Sequence, residues 1–358
     1  MKEIASYLVF LFVVGFVQLQ AQQPELTPID FFDNVNNYQR IQLSNGDDRF
    51  TPSKISSYCI YKNELYVLGN FKKIDNVKCE FIAKFDGTGW KQFGDLKTLK
   101  QNFKQWNFFN TLFVFKGELL AGTYDGVKKW NGTNWVNFGL ELFTVTCFCV
   151  YENKLYAGGH SGAGLMPRIA KLEGSVWKME DFNDLIEDMD DIANMVVYNN
   201  SMYISGYEGL NKGEKRVIEP SFLEYNGSNY KQIRIDCPDD LVWKGDFNRG
   251  QCHMKVFKTI PFDKGIYAAC GESSEEGGVF YWDGKSYTQL FSGKASKSIV
   301  KFNNLFIANT YNREIALIED GAIRKWVKLP LFDVKDRYNY EWPMLIVYKN
   351  KLLFTVHE

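Results

Sequence analysis

The sequence predicts an all-β protein in which seven four-stranded antiparallel sheets close into a ring. Three observations lead to this fold class. A short segment with a turn and a terminal aromatic residue recurs along the chain, an apolar hairpin precedes each copy, and the two ends of the chain carry complementary halves of one more repeat. Repeats of this kind are typical of arrays in which each unit is one supersecondary element.

The recurring segment is a heptad with six copies, and each copy predicts a β-hairpin. In KWNGTNW, residues 129–135, Asn-Gly favours a type I′ turn and the two tryptophans pair across the strands. Because an aromatic residue recurs in every copy, we interpret it as packing between sheets rather than as a binding platform. The other five copies end at Trp90, Trp177, Tyr230, Tyr287 and Trp326.

A second hairpin precedes each heptad and joins two apolar strands through a short polar turn, as in CFCVYENKLYAGG from Cys147. At the C-terminus, MLIVYKNKLLFTV from Met344 is such a hairpin with no heptad after it. Near the N-terminus, FFDNVNNYQRIQL from Phe31 resembles a heptad hairpin with nothing before it. If the N- and C-terminal hairpins join, they form the last sheet and close a seven-bladed β-propeller without open edges.

The small residues that end the second strand, as in LYAGG at 155–159, precede an aromatic residue and then a tryptophan across a turn. This pattern resembles the kelch-type propeller repeat, and in particular the kelch-like repeats of exported bacterial surface proteins. The resemblance covers nearly all of the chain after residue 21. In the other blades the glycine pair is replaced by Leu68-Gly69, Gly122-Thr123, Ser205-Gly206, Ala269-Cys270 and Ala308-Asn309.

The N-terminal segment carries Lys2, an apolar run from Ile4 to Val17 and polar residues around Ala21. The run is too short for a bilayer, which needs about 20 helical residues. We therefore expect a secretory signal peptide at residues 1–21 and a propeller at 22–358, with no stable membrane insertion after cleavage. The sequence predicts a secreted, periplasmic or cell-surface protein.

The charge balance argues against nucleic-acid binding. The chain has 42 basic and 43 acidic residues and a formal net charge of −1, whereas a nucleic-acid-binding domain usually has a basic excess. We expect a monomer whose partner is a protein or a glycan.

The cysteines fall into two groups. Four lie in apolar strand patterns and are expected to be small buried side chains, namely Cys59, Cys147, Cys149 and Cys270. Cys237 and Cys252 lie in a long polar insertion and form a candidate disulfide, although their pairing stays open. The Cys-x-Cys spacing at 147 and 149 lacks a second Cys or His cluster, so we expect no zinc site.

Function in a propeller is carried by the loops, and here the unrepeated loops link strand two to strand three and strand four to the next strand one. These loops are expected on one face of the ring. Their aromatic, arginine and histidine side chains are candidate ligand-binding residues. They are Trp106, His160, Arg168, Tyr207, Trp243, Arg249, His253, Arg337, Tyr338, Tyr340 and Trp342.

An acidic run holds seven carboxylates between Glu180 and Asp191. It lacks the order of an EF-hand loop and its central glycine. We expect a solvated loop, with calcium binding as the alternative.

Enzyme motifs are absent from the sequence. Some kelch-type propellers are copper radical oxidases, but the three histidines here, His160, His253 and His357, show no spacing that marks such a site. We expect no catalytic residue and no cofactor. The alternative is a carbohydrate-active enzyme, a hydrolase or lyase, that uses acidic loop residues.

Overall fold

The structure is a computed structural model, and its described residues form strands in seven sheets, with no helix among them. These residues are 38–44, 54–95, 109–141, 143–161, 166–180, 189–208, 221–234, 255–262, 264–271, 277–292, 295–302, 305–310, 314–319, 321–328 and 344–357.

Six sheets are four-stranded and antiparallel, and in each one the strands follow chain order from one edge to the other. Blade 1 contains β2 (Lys54–Tyr61), β3 (Glu64–Asn70), β6 (Ile82–Phe85) and β7 (Trp90–Gln92). Blade 2 contains β8 (Phe109–Phe115), β9 (Glu118–Thr123), β10 (Gly126–Trp130) and β11 (Trp135–Asn137). Blade 3 contains β12 (Phe143–Tyr151), β13 (Lys154–Ser161), β14 (Met166–Glu173) and β15 (Val176–Met179).

The next three blades have the same order. Blade 4 contains β16 (Met189–Tyr198), β17 (Ser201–Glu208), β18 (Ser221–Tyr225) and β19 (Tyr230–Arg234). Blade 5 contains β20 (Lys255–Phe262), β21 (Gly265–Gly271), β22 (Gly277–Trp282) and β23 (Tyr287–Ser292). Blade 6 contains β24 (Ala295–Phe302), β25 (Leu305–Thr310), β26 (Glu314–Glu319) and β27 (Ala322–Lys328).

The seventh sheet, the closing blade, contains β28 (Leu345–Tyr348), β29 (Lys351–His357), β1 (Tyr38–Ser44), β4 (Lys73–Ile74) and β5 (Val77–Lys78), in that order. The first strand of each blade contacts the first strand of the next, from β2 round to β28, and β29 contacts β2. First strands are therefore innermost, and the ring is closed. The predicted β-propeller architecture is confirmed, and the sheets of the described residues equal the predicted blades in number.

The core lies between blades, and the repeated aromatic residue packs on the preceding blade. Trp135 of blade 2 lies 6.3 Å from Phe93 of blade 1, centroid to centroid. Trp177 of blade 3 donates from Nε1 to Phe138 O of blade 2 at 2.9 Å. The same holds for Trp326, whose ring is 5.1 Å from that of Phe291 in blade 5. Recurrence in the sequence thus reflects interblade packing.

The turn of the heptad differs from the predicted type I′ turn. Trp130 and Trp135 do pair across β10 and β11, but four residues separate them. Asn131 Oδ1 accepts hydrogen bonds from Thr133 N at 2.9 Å and Asn134 N at 2.8 Å. Only Gly132 within this loop has a positive φ, of 102°. The Asx side chain holds the loop, since it can accept from two backbone amides at once.

Type I′ geometry occurs instead in the hairpins that join the first and second strands. Lys62 and Asn63 have φ values of 49° and 63°. Positive φ at both turn positions is what a type I′ hairpin requires. The same pair of positive φ values occurs at Glu152-Asn153, Asn199-Asn200 and Lys349-Asn350.

The closing blade joins both ends of the chain, as predicted, but one of its pairings is parallel. β1 pairs with β29 in parallel from Tyr38↔Leu352 to Leu43↔His357, and β4 then pairs antiparallel with β1. The first part of the predicted N-terminal hairpin, around Phe31, lies outside the described residues. In an antiparallel blade, the fourth strand runs parallel to the second strand and leads into the next blade. β1 runs parallel to β29, the second strand of the closing blade, as a fourth strand would. It nevertheless occupies the third position in the sheet, directly beside β29.

A β-bulge interrupts the innermost strand in each of blades 1 to 6. Bulges re-aim side chains, and here polar groups near them bond to the next blade. Asn110 Nδ2 donates to Val145 O at 3.1 Å, and Thr146 Oγ1 donates to Ile192 O. Asn194 Nδ2 donates to Thr259 O at 3.0 Å. These bonds fix the register between neighbouring blades around the centre of the ring.

Candidate functional site

We call one face of the ring the loop face; it is the face at which the first strand of each blade begins and the second strand ends. The described candidate residues lie on this face. Three of the eleven predicted residues are described, and all three lie there on blades 3 and 4. His160 is near the end of β13, Arg168 is near the start of β14, and Tyr207 is near the end of β17. The strand register places Arg168 opposite Gly159 and Tyr207 opposite Asp191.

A histidine and an aspartate meet across the junction of blades 3 and 4. His160 Nδ1 lies 3.0 Å from Asp191 Oδ1, and each side chain is 15% exposed. The two atoms are close enough for an ion pair but are not aligned as a hydrogen bond. An imidazole held beside a carboxylate has a preferred orientation, and its second ring nitrogen is then available to a ligand.

The position of Asp191 corrects the prediction for the acidic run. Asp191 belongs to strand β16 and pairs with His160, while Glu180 Oε1 accepts an ion pair from Lys171 Nζ at 2.8 Å. The two ends of the run are therefore bound to blade 3 rather than solvated: Glu180 pairs with a lysine of its own blade, and Asp191 of blade 4 lies against His160. Residues 181–188 lie outside the described part of the chain.

A lysine lies near this junction on the innermost strand of blade 5. Lys258 follows the bulge in β20 and pairs with Ala269. Its side chain keeps some exposed surface, but the surrounding strands bury it enough to lower the pKa of the ammonium group. The next residue, Thr259, accepts from Asn194 Nδ2 of β16 at 3.0 Å, so Lys258 lies beside the strand that carries Asp191. Sequence reasoning did not identify Lys258 or Asp191.

Eight of the eleven candidate residues lie outside the described part of the chain. Those outside the described residues are Trp106, Trp243, Arg249, His253, Arg337, Tyr338, Tyr340 and Trp342, together with the candidate disulfide Cys237 and Cys252. The backbone of Tyr207 is described, but its side chain is not.

The cysteines expected to be small core residues have that role. Cys147, Cys149 and Cys270 are buried, Cys59 is half-buried, and all four are free thiols. Burial raises the pKa of Cys59 and of Cys149 to about 12. Burial also raises the pKa of Cys147, with a smaller contribution from the Asp191 carboxylate. These thiols stay protonated at neutral pH and are poor nucleophiles.

The described residues form neither a metal-ligand cluster nor a membrane-spanning helix. Within the ranges given above, no group of three or more His, Cys, Asp or Glu side chains could hold a metal ion. None of these residues belongs to a helix long and apolar enough to cross a membrane.

Comparison with known proteins supports the fold. No family model matches the sequence, and no curated protein matches it. The extracellular domain of the putative hybrid two-component system BT4673 from B. thetaiotaomicron matches with a TM-score of 0.54 and 16% identity, covering 79% of this chain and 34% of that one. A structure of the BT4673 extracellular domain as a putative one-component system matches with a TM-score of 0.53 and 17% identity, covering 78% and 33%.

The WD40 β-propeller domain of Doa1 matches with a TM-score of 0.46 and 9% identity, covering 83% of this chain and 87% of that one. This chain spans about a third of the length of the two BT4673 structures. At such identities the similarity concerns the β-propeller fold alone, and the class of protein defined so far is a β-propeller with a polar site on its loop face.

Proposed function

We propose that this protein is an exported, kelch-like β-propeller that acts as a binding or scaffolding module for a protein or glycan through its loop face. The contact between His160 and Asp191 across the junction of blades 3 and 4 carries this proposal, with Arg168 and Tyr207 placed on the same face of the ring by their strands. These residues occur once each, unlike the repeated aromatic residues, which pack between blades. Unrepeated polar side chains gathered on one face are typical of a ligand site.

The kelch-like assignment is supported by the small residues that end the second strands. A Cβ atom on Gly159 would collide with Thr144 O, and one on Gly69 would collide with Lys54 O. Both glycines therefore allow the second strand to pass close to the innermost strand before its bulge. This is the position at which the repeat has its glycine pair.

Export is proposed from the sequence of residues 1–21, which has the order of a signal peptide, with the propeller at residues 22–358. The two BT4673 structures are extracellular domains, which agrees with a location outside the cytoplasm. We expect a monomer in that location.

The test is ligand binding by the purified chain on a glycan array and against a library of cell-surface proteins. His160→Gln should weaken binding about tenfold or more, because it removes the imidazole beside Asp191. Lys154→Gln is the matched control, since Lys154 lies at the opposite end of the same strand, β13, and is exposed. If both variants bind every ligand as the wild type does, the loop face is not the site.

The contact between His160 and Asp191 also favours a second candidate function, a carbohydrate-active enzyme. A histidine oriented by a carboxylate is the usual arrangement of a general base. Turnover of any bound glycan, lost in both His160→Gln and Asp191→Asn, would support this candidate. Saturable binding without turnover would support the binding module.

A further inference from the structure

The residues that follow the bulges of blades 1 to 5 lie on the innermost strands, which surround the centre of the ring. Each pairs with the second strand at the equivalent register position, as Ser57 does with Leu68 and Lys258 with Ala269. Ser57 Oγ lies 3.4 Å from Thr111 Oγ1 of the next blade, and Asn194 Nδ2 donates at 3.0 Å to the backbone oxygen of Thr259, the residue after Lys258. The five residues are Ser57, Thr111, Cys147, Asn194 and Lys258.

Lys258 is the one cation among these five side chains, and none of its described neighbours neutralises it. The Asn194 amide is bonded to Thr259, with Nδ2 at 2.6 Å from Oγ1. The Cys147 thiol is kept protonated by burial. The Asp191 carboxylate lies against His160. Within the described ranges Lys258 has no ion pair, and a partly buried charge without a partner is costly.

The apolar side chains that would anchor a protein partner lie elsewhere on the described surface. Protein interfaces depend on a few large apolar or aromatic anchors. Among the described residues, Tyr124 in the turn between β9 and β10 is the only exposed large apolar side chain on the loop face. The others lie on outer strands, on the closing blade or near the opposite face, and they are Ile60, Val77, Val136, Val150, Val176, Met179 and Trp326.

We propose that the ligand of the loop face is an acidic glycan whose carboxylate pairs with Lys258 at the centre of the ring. This inference rests on the proposed function, because the carboxylate belongs to the ligand bound on that face. Lys258 supplies the counter-charge, and His160 with its neighbours contacts the sugar hydroxyls. A carboxylate forms a charge-assisted hydrogen bond with an ammonium group, and such bonds are stronger than neutral ones.

The test measures binding of trigalacturonate and of its fully methyl-esterified form by calorimetry with the full chain. The two probes differ in charge but share the sugar backbone. The wild type should bind the acid at least about tenfold more tightly than the ester, because a charge-assisted hydrogen bond is lost with the ester. Lys258→Met should bind both forms equally, and Lys258→Arg should restore the preference. Lys351→Met, at an exposed lysine on β29, should leave it unchanged.

A second measurement uses the wild-type protein, so it tests the inference even if the Lys258→Met variant does not fold. Bound trigalacturonate should slow the reaction of Lys258 with acetic anhydride, followed by peptide mass spectrometry, at least about tenfold relative to the ester. Equal affinity for acid and ester, or no binding of either, overturns the acidic-glycan inference. His160-dependent binding of a neutral glycan or a protein would still support the proposed function. Binding of hexaglutamate in place of trigalacturonate, with the same dependence on Lys258, overturns the glycan assignment.

Discussion

Trp90 Nε1 donates a hydrogen bond to Asp75 Oδ2 at 3.0 Å and so ties blade 1 to the closing blade. The other oxygen of the same carboxylate, Oδ1, accepts from Gln42 N on β1 at 2.7 Å. Asp75 lies in the turn between β4 and β5 with a φ of 46°. A single carboxylate thereby connects the N-terminal strand, the β4–β5 hairpin and a tryptophan of the repeat.

The first prediction is that Asp75→Ala lowers the free energy of unfolding by about 1–3 kcal/mol, since two donors lose their acceptor. Urea denaturation followed by tryptophan fluorescence measures the change. Trp90→Phe and the double variant complete a mutant cycle, in which the two effects should not add because the residues share a bond. Strict additivity would show that the contact does not stabilise the ring.

The second prediction concerns the heptad turn. Gly132→Ala should lower the free energy of unfolding by about 1–2 kcal/mol, because its φ of 102° is unfavourable for a residue with a Cβ atom. The added methyl group meets no atom within 4 Å, so the cost is conformational. Gly89→Ala is the matched control, since its Cβ would also meet nothing and its φ is not positive. Equal melting temperatures for the two variants would contradict the assigned turn geometry.

The third prediction concerns closure of the ring. A chain lacking residues 344–358 should aggregate and lose cooperative unfolding, because β1 loses its partner β29 and β24 loses its neighbour β28. Size-exclusion chromatography and thermal unfolding measure both effects against the full chain. A truncated chain that stays monomeric and unfolds as sharply as the full chain would show that the termini do not close the ring.

The fourth prediction is a loss of stability at alkaline pH. Burial raises the pKa of Tyr58 from 10.0 to about 12 and the pKa of Cys59 from 9.0 to about 12. Between pH 9 and 12 the unfolded chain releases these protons while the folded chain keeps them. The stability they contribute is complete below pH 9 and falls as pH rises toward 12.

Urea titrations at intervals from pH 8 to pH 11, with phenolate absorbance recorded in parallel, test this dependence. In Tyr58→Phe, the free energy of unfolding should fall less steeply above pH 10. The variant lacks one of the protons that the folded chain keeps and the unfolded chain releases. An unchanged pH dependence in this variant would mean that Tyr58 ionises normally in the folded chain.

The architecture was predictable because the number of repeated segments in the sequence gives the number of sheets. The heptad and its preceding hairpin repeat, and bulk at the aromatic position is all that interblade packing requires. The turn type was wrong because Asn-Gly fits two hairpin geometries, and only the hydrogen bonds of Asn131 distinguish them. The parallel pairing of β1 with β29 could not be predicted, because neither the composition nor the repeat period of the sequence depends on strand direction.

The candidate site was predicted only in part. His160, Arg168 and Tyr207 were proposed because they belong to the unrepeated segments between the repeated hairpins. Asp191 was overlooked because a run of acids usually marks a solvated loop, whereas its partner His160 comes from another blade. Lys258 was overlooked because the alternation of residues along β20 does not reveal a β-bulge. The bulge determines which residues of this innermost strand lie around the centre of the ring.

The closing blade has a consequence for the order in which the protein folds. Tyr348 donates from its hydroxyl to Asn63 O across 285 residues of chain, and β1 pairs with β29 over a still longer separation. β1 is synthesised early but can pair with β29 only after nearly all of the described strands have been made. Contacts so distant in sequence form slowly, so each folding chain passes through an open ring whose unpaired strand edges are prone to aggregation.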